Sequence, residues 1–237
     1  MKRYELLLLL VGLSGSVIFG QTEPVSPWIT VTGNGEVRTS PDQAVIRLGV
    51  TQESPTAKEA QQKANSVGQS ILSSLSKLGI PSKDIQTSQL TLYPIYTGEG
   101  IEPMRRDRPR IAGYRASNVV SVTVNKTEQV GPVLDAGLKA GSNQVEGISF
   151  GLRDDTAARQ QALTQAAAEA QMKAETIAKA LGVQVKGVQE VTEGGVSVVP
   201  VAARADMMMA RAEISNPVSP GEVTVNATLT VKYRIAQ

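Results

Sequence analysis

From Val223 to Ile235 apolar residues occupy every second position, with Glu222, Thr224, Asn226, Thr228, Thr230, Lys232 and Arg234 between them. That alternation predicts a strand with one buried and one wetted face. A second alternating segment sets Ala44, Ile46, Leu48 and Val50 against Val45, Arg47, Gly49 and Thr51. Two longer segments change period to steps of three and four and predict helices. The first runs from Pro55 to Leu78, with Ala57, Ala60, Ala64, Val67, Ile71, Leu75 and Leu78 as its stripe. The second runs from Thr156 to Leu181, with Leu163, Ala166, Ala170, Ala174, Ile177 and Leu181. Either Ser54 before Pro55, or Thr56 with Glu59 in a capping box, starts the first helix, and Gly79 before Ile80 and Pro81 stops it.

Between these lie shorter elements. Trp28 to Val37 reads as a strand that Gly33-Asn34-Gly35 interrupts with a bulge or a tight turn, and Ser40-Pro41-Asp42 is a turn. Strands are predicted over Ile85–Tyr93, Tyr114–Val124, Val145–Leu152 and Val183–Val191, with a helix over Glu128–Ala140 capped by Thr127 and ended by Gly141. Glu193 to Pro220 shows no period, a length that suggests mobility or a contact role. The order strand, helix, strand, strand is written twice: Gly49 and Gly79 recur as Gly151 and Gly182, just over a hundred residues later. The reading is therefore an α+β fold of duplicated βαββ units, about 43–125 and 145–237, joined by a linking helix at 127–141. An antiparallel or mixed sheet carries the long helices on one side, around one core in a single domain over 21–237.

The chain has 237 residues, with Lys2 and Arg3 ahead of an apolar run from Leu6 to Phe19. That run is short for a bilayer span and reads as a signal peptide over 1–20, cleaved after Gly20. Export follows, with a periplasmic or otherwise exported location, association with the outer membrane included, and no transmembrane segment after cleavage. Formal net charge is only +2, so no nucleic-acid partner is expected. The chain holds no Cys and no His, which removes disulfides, thiolate and imidazole metal sites and every triad with a His base. No nucleophile elbow, cofactor or enzymatic activity is expected.

Four segments resemble the SIMPL-domain family of YggE-like envelope proteins. They are Val31-Thr32-Gly33-Asn34-Gly35-Glu36-Val37 with Pro41-Asp42-Gln43-Ala44, then Asp84-Ile85-Gln86-Thr87 leading to Tyr93-Pro94-Ile95-Tyr96, then Gly113-Tyr114-Arg115-Ala116-Ser117-Asn118, and Pro217-Val218-Ser219-Pro220-Gly221-Glu222. The resemblance spans Ile29 to Ile235 and implies an exported, non-enzymatic envelope protein associated with oxidative-stress defence. It implies no catalytic residues.

Candidate sites are few. Gly33-Asn34-Gly35 lacks the third glycine and the following helix of a phosphate loop. Asp154-Asp155 precedes a helix and reads as a cap rather than a metal pair. The loop from Thr97 to Arg110 holds Arg105, Arg106, Arg108 and Arg110, suited to an anionic surface or an acidic partner but diluted by Glu99, Glu102 and Asp107. Met207, Met208 and Met209 form an adaptable apolar contact or, in the alternative reading, a metal or small-ligand site of a stress protein. The expected function is a structural or interaction scaffold that forms a homo-oligomer or holds an envelope protein partner.

Overall fold

The computed structural model describes residues 27–97, 110–201 and 219–237. It contains β1 (Trp28–Thr39), β2 (Gln43–Ser54), α1 (Ala57–Lys77), β3 (Ile85–Tyr96), β4 (Ile111–Val124), α2 (Val130–Lys139), β5 (Gln144–Gly151), α3 (Thr156–Leu181), β6 (Gln184–Val201) and β7 (Glu222–Ala236). The fold is α+β, and every strand pair is antiparallel. The antiparallel pairing is as expected, and the strands divide between two sheets, β3-β4-β2-β5 and β1-β7-β6.

Strand order gives the reason. In the first sheet β2 lies beside β4; in the second, the corresponding place beside β7 is taken by β1, while β5 joins the first sheet at β2. The exchange is held at its crossing point. Asp42 N–H donates to Gly151 O at 3.1 Å, and Arg153 N–H donates to Asp42 Oδ1 at 2.7 Å.

The buried side chains accordingly fall into separate clusters rather than one continuous core. One joins Val225, Ala227 and Val231 of β7 to Ile29, Val31 and the alanines of α3. Another joins Ile46, Leu48, Val120 and Val122 to Ile71 and Leu75 of α1 and Val130 and Val133 of α2, with a small satellite of Val50, Ala60, Ala64 and Ala116. Burying a Leu, Ile or Val side chain is worth about 1.5–3 kcal/mol, so these clusters carry most of the stability.

Each helix ends in the same way. Gly79, Gly141 and Gly182 adopt φ of +80°, +105° and +70°, and the next residue's N–H reaches back to Leu75 O, Gly137 O and Ala178 O. These are Schellman closures, which need a residue that tolerates left-handed backbone. At the start of α1, Thr56 Oγ1 accepts from Glu59 N–H at 3.3 Å, which selects Thr56 over Ser54 as the cap.

Two predicted stripes are revised. In α3 the buried residues are Ala162, Ala166, Ala170, Ala174 and Ala178, whereas Ile177 and Leu181 are exposed. In α1 Gly68 is buried and Leu78 is exposed. The strand expected to stop at Val191 continues to Val201 as β6. Its pairing with β7 shifts register at Val185/Gly187, Val188/Glu190 and Glu193/Gly195, and each shift resets which residues face the helix. A strict two-residue period cannot survive that.

Candidate interaction surfaces

β1 runs unbroken through Gly33-Asn34-Gly35, in continuous register with β7 from Trp28 to Thr39. The expected bulge or turn is therefore absent. The glycines serve close packing instead: a Cβ at Gly33 would run into Ala166 O and stand 2.7 Å from Ala170 N, and one at Gly35 would run into Ala162 O and stand 2.9 Å from Ala166 N. Glycine on the strand and alanine on the helix let the two backbones approach as neither could with larger residues.

That approach lets α3 side chains reach over the outer edge of β1. Asn34 N–H donates to Glu169 Oε2, Glu36 N–H donates to Gln165 Oε1 at 3.1 Å, and Lys173 Nζ donates to Thr32 O at 2.8 Å. An edge strand exposes unpaired backbone groups that invite another strand, and here the helix occupies them.

Asp154 and Asp155 are part of the start of α3. Asp154 Oδ1 accepts from Thr156 N–H at 2.9 Å, and Asp155 pairs with Arg159 one turn on at 2.7 Å. Hydrogen bonding to Thr156 holds the Asp154 carboxyl below its ordinary value, the Arg159 guanidinium does so for Asp155, and the Asn34 N–H followed by Lys173 does so for Glu169. A carboxyl lowered in the folded state contributes stability above its unfolded value and loses it as pH falls through the lowered folded value. Thermal unfolding is thus expected at lower temperature below about pH 4, where unfolded carboxyls begin to take protons. An Asp154→Asn, Asp155→Asn, Glu169→Gln variant should show a shallower acid loss; an unchanged slope would place the effect elsewhere.

The spacing Gly-x-Ser-x-Gly does occur, at Gly147-Ile148-Ser149-Phe150-Gly151. It forms no elbow: Ser149 lies inside β5, opposite Val45 of β2, not at a strand-to-helix turn. Among the described residues no group of three His, Cys, Asp or Glu is placed to hold a metal.

Of the residues expected to make contacts, Arg110 lies at the start of β4, exposed, its N–H and carbonyl bonded to Thr97 across the β3–β4 hairpin. Arg105, Arg106, Arg108, Met207, Met208 and Met209 lie outside the described residues, as does the expected signal peptide.

Sequence reasoning placed β3 but missed its exposed apolar face. Leu90 and Leu92 stand opposite Asn118 and Ala116, on the face that carries α1, yet they are 52% and 40% exposed. α1 packs chiefly on β4 and β2, so β3 projects beyond its cover. β6 repeats the arrangement: Val188 and Val191 are 51% and 55% exposed beside α3, and an open groove of about 740 Å³ runs there past Ala178, Val185 and Tyr233. The two edges are guarded differently. β6 carries Lys186, Glu190 and Glu193 and three register shifts, whereas β3 carries no charge along IQTSQLTLYPIY and is guarded by Pro94 and two register shifts, at Thr87/Gln89 and Ile95/Tyr96, with regular pairing between them. Among the described residues, the buried side-chain oxygens without a hydrogen-bond partner are Asp84 Oδ2 and Asn118 Oδ1. Asp84 immediately precedes β3, and Asn118 lies opposite Leu90.

The family model for SIMPL, described as a protein of unknown function, matches residues 29–233. The chain belongs to the SIMPL family. It is 31% identical over 237 residues to the 26 kDa periplasmic immunogenic protein of Brucella melitensis, covering 96% of this chain and 94% of that relative, and the protein of the same name from Brucella abortus matches to the same extent. Uncharacterized protein YggE of Escherichia coli is 29% identical over 177 residues, 73% of this chain and 70% of YggE. The SIMPL match indicates no enzymatic family. Among the described residues of this SIMPL chain no helix is long and apolar enough to cross a membrane.

Proposed function

We propose that this SIMPL protein is an exported, non-enzymatic scaffold of the periplasm, built from a duplicated βαββ unit, that assembles with itself through β3. The observation that carries the reading is the uncharged, uncovered edge of β3 with Leu90 and Leu92 exposed on its helix side. An edge strand presents unpaired backbone groups that are a template for a further strand. A second copy of the chain is the occupant that fits best: without charge, β3 does not repel itself, and antiparallel pairing across a two-fold axis is self-complementary. The four-stranded sheet would continue into its partner, and four leucines would cover one another.

Export is supported by the basic and apolar start of the chain and by the relative named periplasmic. Holding an envelope protein is a second task of the same body, for which the groove beside α3 and β6 is free in this reading. A role in oxidative-stress defence rests on the family resemblance.

The absence of Cys gives a direct test. Thr91→Cys places a thiol near the middle of β3, and oxidation in cells is expected to give a covalent dimer. Monomer only, from Thr91→Cys and from Gln89→Cys alike, would contradict pairing through this strand.

A further inference from the structure

The opposite face of the four-stranded sheet carries a polar pocket of about 450 Å³, within the usual range for small-ligand sites. It lies where β5 begins. Asn143 fixes that point with its amide: Oδ1 accepts from Thr51 N–H and Nδ2 donates to Thr51 O, both at 2.9 Å. Behind it the buried Ser142 Oγ donates to Gly49 O at 2.8 Å. Gly49 lacks a Cβ, so the Gln144 side chain can lie over it; a Cβ there would meet Gln144 Cβ at 3.2 Å. The pocket wall is thus anchored to the sheet at three places.

The floor is a set of oriented, neutral hydrogen-bonding groups. Thr51 Oγ1 donates to Gln144 Oε1 at 3.0 Å, so the 2.7 Å contact between Thr51 and Ser117 runs from the Ser117 hydroxyl to Thr51. That relay leaves lone pairs on Ser117 and the protons of Gln144 Nε2 without a partner among the described residues. In the next row Arg115 is bound through Nε and Nη2 to Glu53 Oε1, at 2.8 and 2.7 Å. Among the described residues no partner engages Arg115 Nη1 or Glu53 Oε2. Donor and acceptor stand side by side with their charges cancelled. Across the strand from Arg115, on the same face, Tyr93 is 61% exposed.

We propose that this pocket binds a neutral sugar. A free cation or carboxylate would select an ionic ligand, but the Arg115–Glu53 pair cancels both charges and suits vicinal hydroxyls, which donate and accept at once. An exposed aromatic ring with a polar tip offers the apolar face of a pyranose a surface to lie on. Thr51, Ser117 and Gln144 supply neutral groups in fixed directions. Tyr93 lies on β3, whereas Thr51, Glu53, Arg115, Ser117 and Gln144 lie on β2, β4 and β5, so Gln144→Ala reads the site without touching the assembly edge.

The test is ligand-observed saturation-transfer NMR on the mature chain with chitobiose, cellobiose and maltose. At least one disaccharide is expected to bind with a dissociation constant of about 1 mM, typical of a small open site of few contacts. Tyr93→Ala and Gln144→Ala, both at exposed positions, should each weaken it about tenfold, and Tyr93→Phe should retain it. No saturation transfer from any of the three at about 10 mM, or a signal undiminished in either variant, would overturn the assignment. Co-sedimentation with purified peptidoglycan then separates the sources: sedimentation lost in Tyr93→Ala assigns a glycan strand, and its absence with disaccharide binding intact assigns a free saccharide.

Discussion

Gly35→Ala is expected to destabilise the protein by about 3 kcal/mol or more, lowering the unfolding temperature by about 6–12 °C for a chain of this size. The added methyl meets no flexible side chain that could swing away. It meets the Ala162 carbonyl and stands 2.9 Å from Ala166 N, on a helix held to the sheet along five alanines. Relief requires α3 to lift from β1, and lifting it also withdraws Gln165, Glu169 and Lys173 from the β1 edge. Loss of stability and exposure of a new strand edge are therefore coupled, so aggregation on warming should accompany the shift. Gly151→Ala is the control: nothing lies within 4 Å of its Cβ position, and a change within about 0.5 kcal/mol is expected. Differential scanning calorimetry of both variants decides the matter. A Gly35→Ala protein as stable as wild type would mean that the close approach of β1 and α3 is not a structural requirement.

The Leu90→Lys, Leu92→Lys variant should lose self-assembly while keeping its fold. Both leucines are already exposed in the single chain, so replacing them costs little stability, within about 0.5 kcal/mol each. In the assembly they would face their copies across the two-fold axis, where four ammonium groups on one face repel and cannot be desolvated without partners. Lysine on an edge strand is also the device by which proteins keep such edges monomeric. Sedimentation velocity should show the monomer alone, with an unaltered circular dichroism spectrum and a melting temperature that no longer rises with protein concentration. Unchanged sedimentation would remove β3 from the interface.

How much of this the chain disclosed depends on what sets each feature. β7 and α3 are legible almost to the residue, because local alternation, helical period and the Gly182 closure specify them without help. The buried stripe of α3 is legible only in part. Leu163, Ile177 and Leu181 look like core by size, yet the interface demands thin residues, and the helix end carrying Ile177 and Leu181 leaves them exposed. Gly33 and Gly35 mislead for the same reason. Glycine in a strand ordinarily signals a bend, and only the helix that lies against it, more than a hundred residues on, gives it another purpose. The exchange of β1 and β5 is a long-range choice that no local pattern encodes. The β3 edge had a usable signal, twelve residues without a charge. Its meaning depends on β3 lying at a sheet edge beyond the cover of α1, which is a matter of topology rather than of period.

The central claim is that the protein assembles with itself through β3, and the mass of the mature chain in solution tests it most directly. Multi-angle light scattering on the purified protein at about 10 μM, a concentration at which even modest interfaces are populated, should give an even multiple of the monomer mass. A monomer mass that stays constant on further concentration would contradict it.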